Sequence, residues 1–330
     1  MLASDVAPGE NTLIIETREL RKSFQSRAGR EKKTVEAVRG VDLAVGEGEI
    51  FGFLGPNGAG KTTTLRMLAT LIEPDGGEAT IAGVDLRRQP GEVRRRIGYV
   101  AQGGSTWDES TAREELVLQA RLYGHSKVDA QERATRALES FQLAEYGDRK
   151  CKTYSGGQRR RVDIALGIIH GPRVVFLDEP TTGLDPQSRV HMWDEIRRLR
   201  AEGMTIFLTT HYLEEADVLC DRVAIIDNGQ IVAEGTPGEL KREVSGDIVT
   251  VVLNGAATPA AKLLDGESFV HRLESVDGGL RLYVDEGTTA IPLILRALDG
   301  AAIPLGSIEL HRPSLDDVFL TKTGRSLRES

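Results

Sequence analysis

Gly55-Pro56-Asn57-Gly58-Ala59-Gly60-Lys61-Thr62 stands between an apolar run, Ile50 to Leu54, and an amphipathic segment that starts near Thr63. The stretch fits the phosphate-cradling pattern G-x-x-x-x-G-K-[ST]. Its glycines let the backbone curl so that successive N–H groups point inward at an anion, an approach that a Cβ would block. Lys61 supplies a charge for the β- and γ-phosphates, and Thr62 offers a hydroxyl to Mg²⁺. A glycine-rich turn that held a lysine by coincidence would need neither a strand before it nor a helix after it, and this stretch has the pattern of both. The reading is a nucleotide site in an α/β fold.

The neighbouring segments extend that fold. Leu65, Leu68, Ala69 and Ile72 mark the buried face of the helix after the loop, and Pro74, Gly76 and Gly77 end it. Val174 to Leu177 is the short apolar run expected of a central parallel strand buried on both faces, and it ends in Asp178 and Glu179. Adjacent carboxylates at a strand end are costly unless a cation or a proton-acceptor role compensates them. Two further strands end in chemistry-bearing residues: Ile97 to Val100 leads to Gln102, and Thr205 to Leu208 leads to His211. Taken alone, such a histidine is more often structural than catalytic.

Elsewhere the patterns are local. Leu13 to Ile15 and Val41, Leu43 and Val45 read as strands, separated by a charged loop through Lys33. Phe24 in between is either core or an aromatic face for a base. Arg94 to Arg96 read as a solvated helix end. From Ala112 to Tyr146 the spacing is helical without strands, an insertion that returns at Tyr154-Ser155-Gly156-Gly157-Gln158 to open a helix carrying Val162, Ala165, Leu166 and Ile169. Pro180 to Pro186 form a rigid turn with Ser188 capping the next helix, and Val223 to Ala233 a hairpin around Asn228-Gly229. After a polar break at Val244 to Asp247, the order β-α-β-β-α-β predicts a small ferredoxin-like module with no chemical constellation of its own.

Composition bounds the function. With 330 residues and a net charge of −8, the chain has room for two cores and lacks the broad basic character of a nucleic-acid binder. Cys151 and Cys220 are the only cysteines, far apart and without a C-x-x-C partner, so neither a disulfide framework nor a thiolate metal site is expected. The first twelve residues hold no apolar stretch of signal-peptide length, and no run reaches the length of a membrane span.

The ordered set of phosphate loop, Gln102, Ser155 to Gln158, Asp178 and Glu179, Leu184 and Asp185, and His211 resembles the ATP-binding subunit of ABC transporters, from about Phe24 to Glu239. The resemblance implies an ABC-type core with an antiparallel β subdomain and a helical insertion at about 112–154. With the polar residues 1–12 read as a flexible N-terminus and the break at Val244 to Asp247 as a boundary, 13–243 are the ATP-binding domain and 247–330 an accessory α+β domain. Gly55 to Thr63, that is Gly55, Pro56, Asn57, Gly58, Ala59, Gly60, Lys61, Thr62 and Thr63, would hold ATP, with Phe24 stacked on adenine. Thr62, Gln102 and Asp178 would surround Mg²⁺, all oxygen donors as a hard cation requires. Glu179 would take the proton of the attacking water, His211 would hold the γ-phosphate, and Lys61, counted with them as catalytic, would supply its charge to the β- and γ-phosphates. Ser155, Gly156, Gly157, Gln158 and Asp185 would face ATP bound to a second copy, in a two-fold dimer.

Two departures are small: Tyr154 stands where leucine is common, and Phe24 where tyrosine is usual. TYSGGQRRRVDIA, and PSLDDVFLTKTGRSLRE from Pro313 to Glu329, resemble the drug-export members of the daunorubicin-resistance type. That implies a motor on the inner face of the cell membrane, coupled to a separately encoded permease and driving efflux of a small hydrophobic compound. The alternative, an ABC ATPase acting on nucleic acid or ribosomes, calls for a long coiled coil between Lys61 and Ser155 or for a second motif set, and the sequence has neither.

Overall fold

The computed structural model describes residues 12–28, 31–244, 246–254, 257–276 and 278–324. The expected flexible N-terminus lies outside them apart from Thr12. In chain order the first elements are β1 (Leu13–Ala28), β2 (Glu31–Gly46), β3 (Ile50–Leu54), α1 (Lys61–Leu68), β4 (Gly76–Ile81), β5 (Val84–Asp85), α2 (Pro90–Arg96) and β6 (Ile97–Val100). The helical insertion supplies α3 (Ala112–Leu122) and α4 (Lys127–Ser140), followed by α5 (Gly156–Ile168). Then come β7 (Val174–Asp178), α6 (Pro186–Ala201), β8 (Thr205–Thr210), α7 (Leu213–Leu219), β9 (Arg222–Asp227) and β10 (Gln230–Gly235).

One sheet runs β10-β9-β3-β8-β7-β6, with parallel pairing of β3 to both β8 and β9, and of β7 to both β8 and β6. Every residue of β3, β7 and β8 is buried, the apolar runs Ile50–Leu54, Val174–Leu177 and Ile206–Leu208 being those of strands covered on both faces, with polar Asp178, Thr209 and Thr210 at the C-terminal strand ends. The second sheet, β2-β1-β4-β5, is antiparallel, and its inner residues Ile15, Leu20 and Val41 join Phe53, Leu65 and Phe207 in one core. β1 and β2 are far longer than the sequence predicts. Among the described residues, the segments up to Ala28 and from Glu31, expected as loop, continue the antiparallel ribbon, with Phe24 paired to Val35, because a near-continuous polar run shows no period-two signal while its backbone still closes a ladder.

Residues from Gly235 onward form a second compact unit with a core of its own. It holds α8 (Pro237–Val244), β11 (Asp247–Leu253), α9 (Ala257–Leu264), β12 (Val270–Val276), β13 (Gly279–Val284), α10 (Gly287–Gly300), β14 (Leu305–His311) and α11 (Leu315–Thr323). The sheet order β12-β13-β11-β14 with antiparallel pairing throughout is the ferredoxin-like arrangement. Val251 and Leu282 of the sheet meet Leu264 and Ile294 of the helices. The units divide at Glu234, upstream of the expected break at Val244 to Asp247. α8 belongs to the second unit because it packs on α11, burying Leu240 and Phe319, with Lys322 Nζ 3.1 Å from Glu243.

Candidate active site

Four neighbouring parallel strands deliver the site. β3, β8, β7 and β6 end side by side, and just beyond their C-terminal ends lie the phosphate loop, His211, Glu179 and Gln102. In open parallel sheets this edge is where ligands bind.

Gly60 precedes α1 with φ +108°, and a Cβ there would sit 2.5 Å from the Ala37 carbonyl oxygen, so only glycine fits. The ammonium of Lys61 folds back over the loop and donates to the carbonyl oxygens of Gly55 at 2.7 Å and Pro56 at 3.1 Å. Burial lowers the Lys61 pKa, while the charges of Glu179 and Asp178 oppose that shift.

The two strand-end carboxylates are compensated differently. Asp178 Oδ1 accepts from the hydroxyls of Thr62 at 3.0 Å and Thr209 at 2.7 Å. Glu179 has φ +44°, a left-handed conformation that costs a non-glycine residue about 1–3 kcal/mol. The turn swings its carboxylate off the line of β7 and toward the other loops. There Oε2 accepts from Gln102 Nε2 at 2.9 Å and Thr182 Oγ1 at 3.1 Å, with His211 Nδ1 3.2 Å away but outside hydrogen-bonding direction. Lys61 Nζ lies 3.5 Å from Oε1. Lys61, Thr62, Gln102, Asp178, Glu179 and His211 therefore converge.

Phe24, Ser155 to Gln158 and Asp185 lie outside that cluster, whereas the phosphate loop is tied to it through Lys61. Phe24 is 43% exposed on β1, with Lys22 Nζ 5.6 Å above its ring. Ser155 caps α5: its hydroxyl accepts from Gln158 N while Gln158 Oε1 accepts from Ser155 N, a reciprocal box. Asp185, and not Ser188, is the N-cap of α6. It accepts from Ser188 N at 2.9 Å, and the Ser188 hydrogen bonds lower its pKa. Ser155 to Gln158 and Asp185 form no hydrogen bond with the phosphate loop among the described residues.

Arg160 was missed by sequence reasoning. Its buried guanidinium donates to the carbonyl oxygens of Ala101 at 2.6 Å, Pro180 at 2.8 Å and Asp178 at 3.1 Å, gripping the backbone beside both Gln102 and Glu179. Arg160 stands in the charged run Arg159 to Arg161, four residues before the buried Ile164 and so on the same helix face, which was the available signal.

Residues 38–182 match the family model described as ABC transporter, and residues 235–323 match that of the ATP-binding protein DrrA1-3-like C-terminal domain. The daunorubicin resistance ATP-binding protein DrrA2 of Streptomyces coeruleorubidus is 48% identical over 294 residues, 87% of this chain and 90% of the relative. The chain belongs to the ATP-binding subunits of ABC transporters. A similar 43% identity, over 88% of this ABC subunit and 90% of the relative, links it to the doxorubicin resistance ATP-binding protein DrrA of Mycobacterium tuberculosis (strain ATCC 25618 / H37Rv). Among solved structures, a dimeric ATP-binding cassette in a post-hydrolysis state bound to ADP and Pi is 26% identical with a TM-score of 0.61, covering 67% of this chain and 98% of that one. The ABC subunit is an ATPase.

Proposed function

We propose that this chain is the motor of an exporter that moves small hydrophobic drug-like compounds through a separately encoded permease, and that it works as a two-fold dimer on the inner face of the cell membrane. The observation that carries the reading is likeness to daunorubicin- and doxorubicin-resistance proteins across both compact units rather than the cassette alone. A cassette of the same fold solved as a dimer supports the pairing. Among the described residues no helix is long and apolar enough to cross a membrane, which is consistent with a separate permease.

In this reading the loop Gly55 to Thr63 wraps the phosphates, which compete with the Gly55 and Pro56 carbonyls for the Lys61 ammonium. Phe24 offers an exposed ring to adenine. Thr62 and Asp178, already in contact, are hard oxygen donors that would hold Mg²⁺. Gln102 would join them, since giving its amide hydrogen to Glu179 leaves its carbonyl oxygen free for a cation. When bound, the ion offsets charge on the phosphates. Glu179 receives the proton of the attacking water, with Gln102 and Thr182 fixing the carboxylate. His211 steadies the γ-phosphate. The start of α5, from Ser155 to Gln158, where the N–H groups of Gly156 and Gly157 lie between the two ends of the capping box, and the turn at Asp185 meet ATP held by the second copy.

The permease docks on the loop after Gln102. Trp107 is 75% exposed there and is not tucked onto the helical insertion. It borders a cleft of about 420 Å³ lined by Tyr99, Ser105, Glu115 and Leu118. An exposed aromatic beside a cleft is a usual interface anchor. Trp107→Ala should weaken recruitment to membranes holding the permease and leave ATP affinity unchanged. Full recruitment of the variant would remove this surface from the interface.

A further inference from the structure

Downstream of its capping box, α5 reaches back to the loop that carries Gln102. Asp163 is buried, and its Oδ1 accepts from Ser105 N at 2.8 Å, Ser105 Oγ at 3.2 Å and Thr106 N at 3.2 Å. Arg159, on the preceding turn, donates from Nε to Thr106 Oγ1 at 2.7 Å and from Nη2 to the Thr106 carbonyl at 3.0 Å, and it pairs with Asp108. Arg160 grips the Ala101 carbonyl on the other side of Gln102. One helix thus holds the loop before and after the side chain that orients Glu179. The fit is close: Gly104 has φ +75°, and a Cβ on it would lie 2.9 Å from Asp163 Oδ2.

We infer that Asp163 is a positioning residue for ATP hydrolysis, which seats the Gln102 loop against α5 so that a displacement of the Ser155–Gln158 end of that helix is carried to Gln102 and from there to Glu179. The inference rests on the ATPase reading above. A carboxylate withdrawn from water and accepting three hydrogen bonds at one oxygen makes a stiff joint, because each bond is charge-assisted and water does not compete for it. The Asp163 side chain need not touch nucleotide. Its effect runs through Gln102, whose amide lies 2.9 Å from the Glu179 carboxylate.

The test uses the full chain and scores each variant against unsubstituted protein run alongside, so that a failure of the ATPase reading itself is told apart. Asp163→Ala should lower kcat by about tenfold, the scale of effect that a sub-ångström misplacement of a catalytic group produces, with KM and nucleotide affinity unchanged. Asp163→Asn should recover most of the loss, since a single amide oxygen can accept from all three donors. Gly104→Ala, which crowds the same joint from the loop side, should reproduce the loss. The double variant Gly104→Ala with Asp163→Ala should lose no more than the larger single effect, because both act on one contact. If Asp163→Ala does not fold, the asparagine and glycine variants carry the test. Retention of kcat within twofold in Asp163→Ala, failure of asparagine to restore it, a harmless Gly104→Ala, or additive losses would each overturn the assignment.

Discussion

Lys61 Nζ lies 3.5 Å from Glu179 Oε1, and both side chains are almost completely buried. Nothing basic stands near Glu179 in the sequence, yet the fold sets Lys61 and His211 beside it. The ammonium proposed for the phosphates and the carboxylate proposed for water are thereby held in one electrostatic unit. Each limits what the other can do when ligand arrives.

Replacing Lys61 with alanine should weaken ATP binding by about 10- to 100-fold, the usual worth of a hydrogen bond to a charged group. Because burial holds the Lys61 pKa below the ordinary lysine range, the affinity of the unsubstituted protein should also decline as pH rises through that lowered value. Titration with a fluorescent ATP analogue across alkaline pH checks both. An affinity that is flat in pH and unchanged in the variant would take Lys61 off the phosphates.

Glu215 is buried, and its Oε1 accepts from Thr181 Oγ1 at 2.8 Å and Trp193 Nε1 at 3.0 Å, tying α7 to the turn after Glu179 and to α6. Burial raises its pKa. The folded state therefore holds this proton more tightly than the unfolded chain, so the contribution to stability falls as pH rises from the unfolded value of about 4.3 to the raised folded value. Glu215→Gln removes the titration and keeps an acceptor. In denaturant melts the glutamine variant should gain on the parent protein as pH rises across that window. A constant difference would show that the carboxyl does not titrate there.

The division at Glu234 predicts how truncations behave. A chain ending at Glu234 should remain folded and bind ATP, since the convergent cluster lies wholly upstream. A chain ending at Glu243 keeps most of α8 without α11, uncovers Leu240, and should be the more aggregation-prone of the two by light scattering. The opposite ranking would place α8 with the cassette.

The legible parts of the protein were those whose chemistry is local. GPNGAGKT, the run Val174 to Leu177 with its two carboxylates, and the turn at Asn228-Gly229 each announce a backbone conformation, and strands β6 and β7 lie close to where their apolar runs place them. The period-two and helical patterns beyond Asp247 likewise suffice for the ferredoxin-like order. What stayed hidden depends on partners distant in sequence. Arg96 reads as a solvated helix end, but it donates to the Ala82 carbonyl at 2.8 Å as well as to Glu92. Asp163, Arg160 and Glu215 look like ordinary polar positions on amphipathic helices, and only the packed structure shows their charged groups turned inward onto loops. The polar ribbon of β1 and β2 was missed because its ladder is made by backbone groups, which leave no mark on side-chain pattern.

The central claim is that Glu179 takes the proton of the attacking water while the neighbouring groups bind ATP. Glutamine at that position keeps its size and an acceptor oxygen but lacks the basicity of a carboxylate, and losing a general base costs about 10²- to 10⁴-fold in rate. The deciding measurement is steady-state ATP turnover of Glu179→Gln, with its mass in solution followed by light scattering with and without ATP. The account predicts turnover lowered by about that factor together with an ATP-dependent dimer, because ligand that is bound but not consumed favours the closed pair. Near-normal hydrolysis in the variant would contradict it and move the proton-accepting role to another group, His211 first.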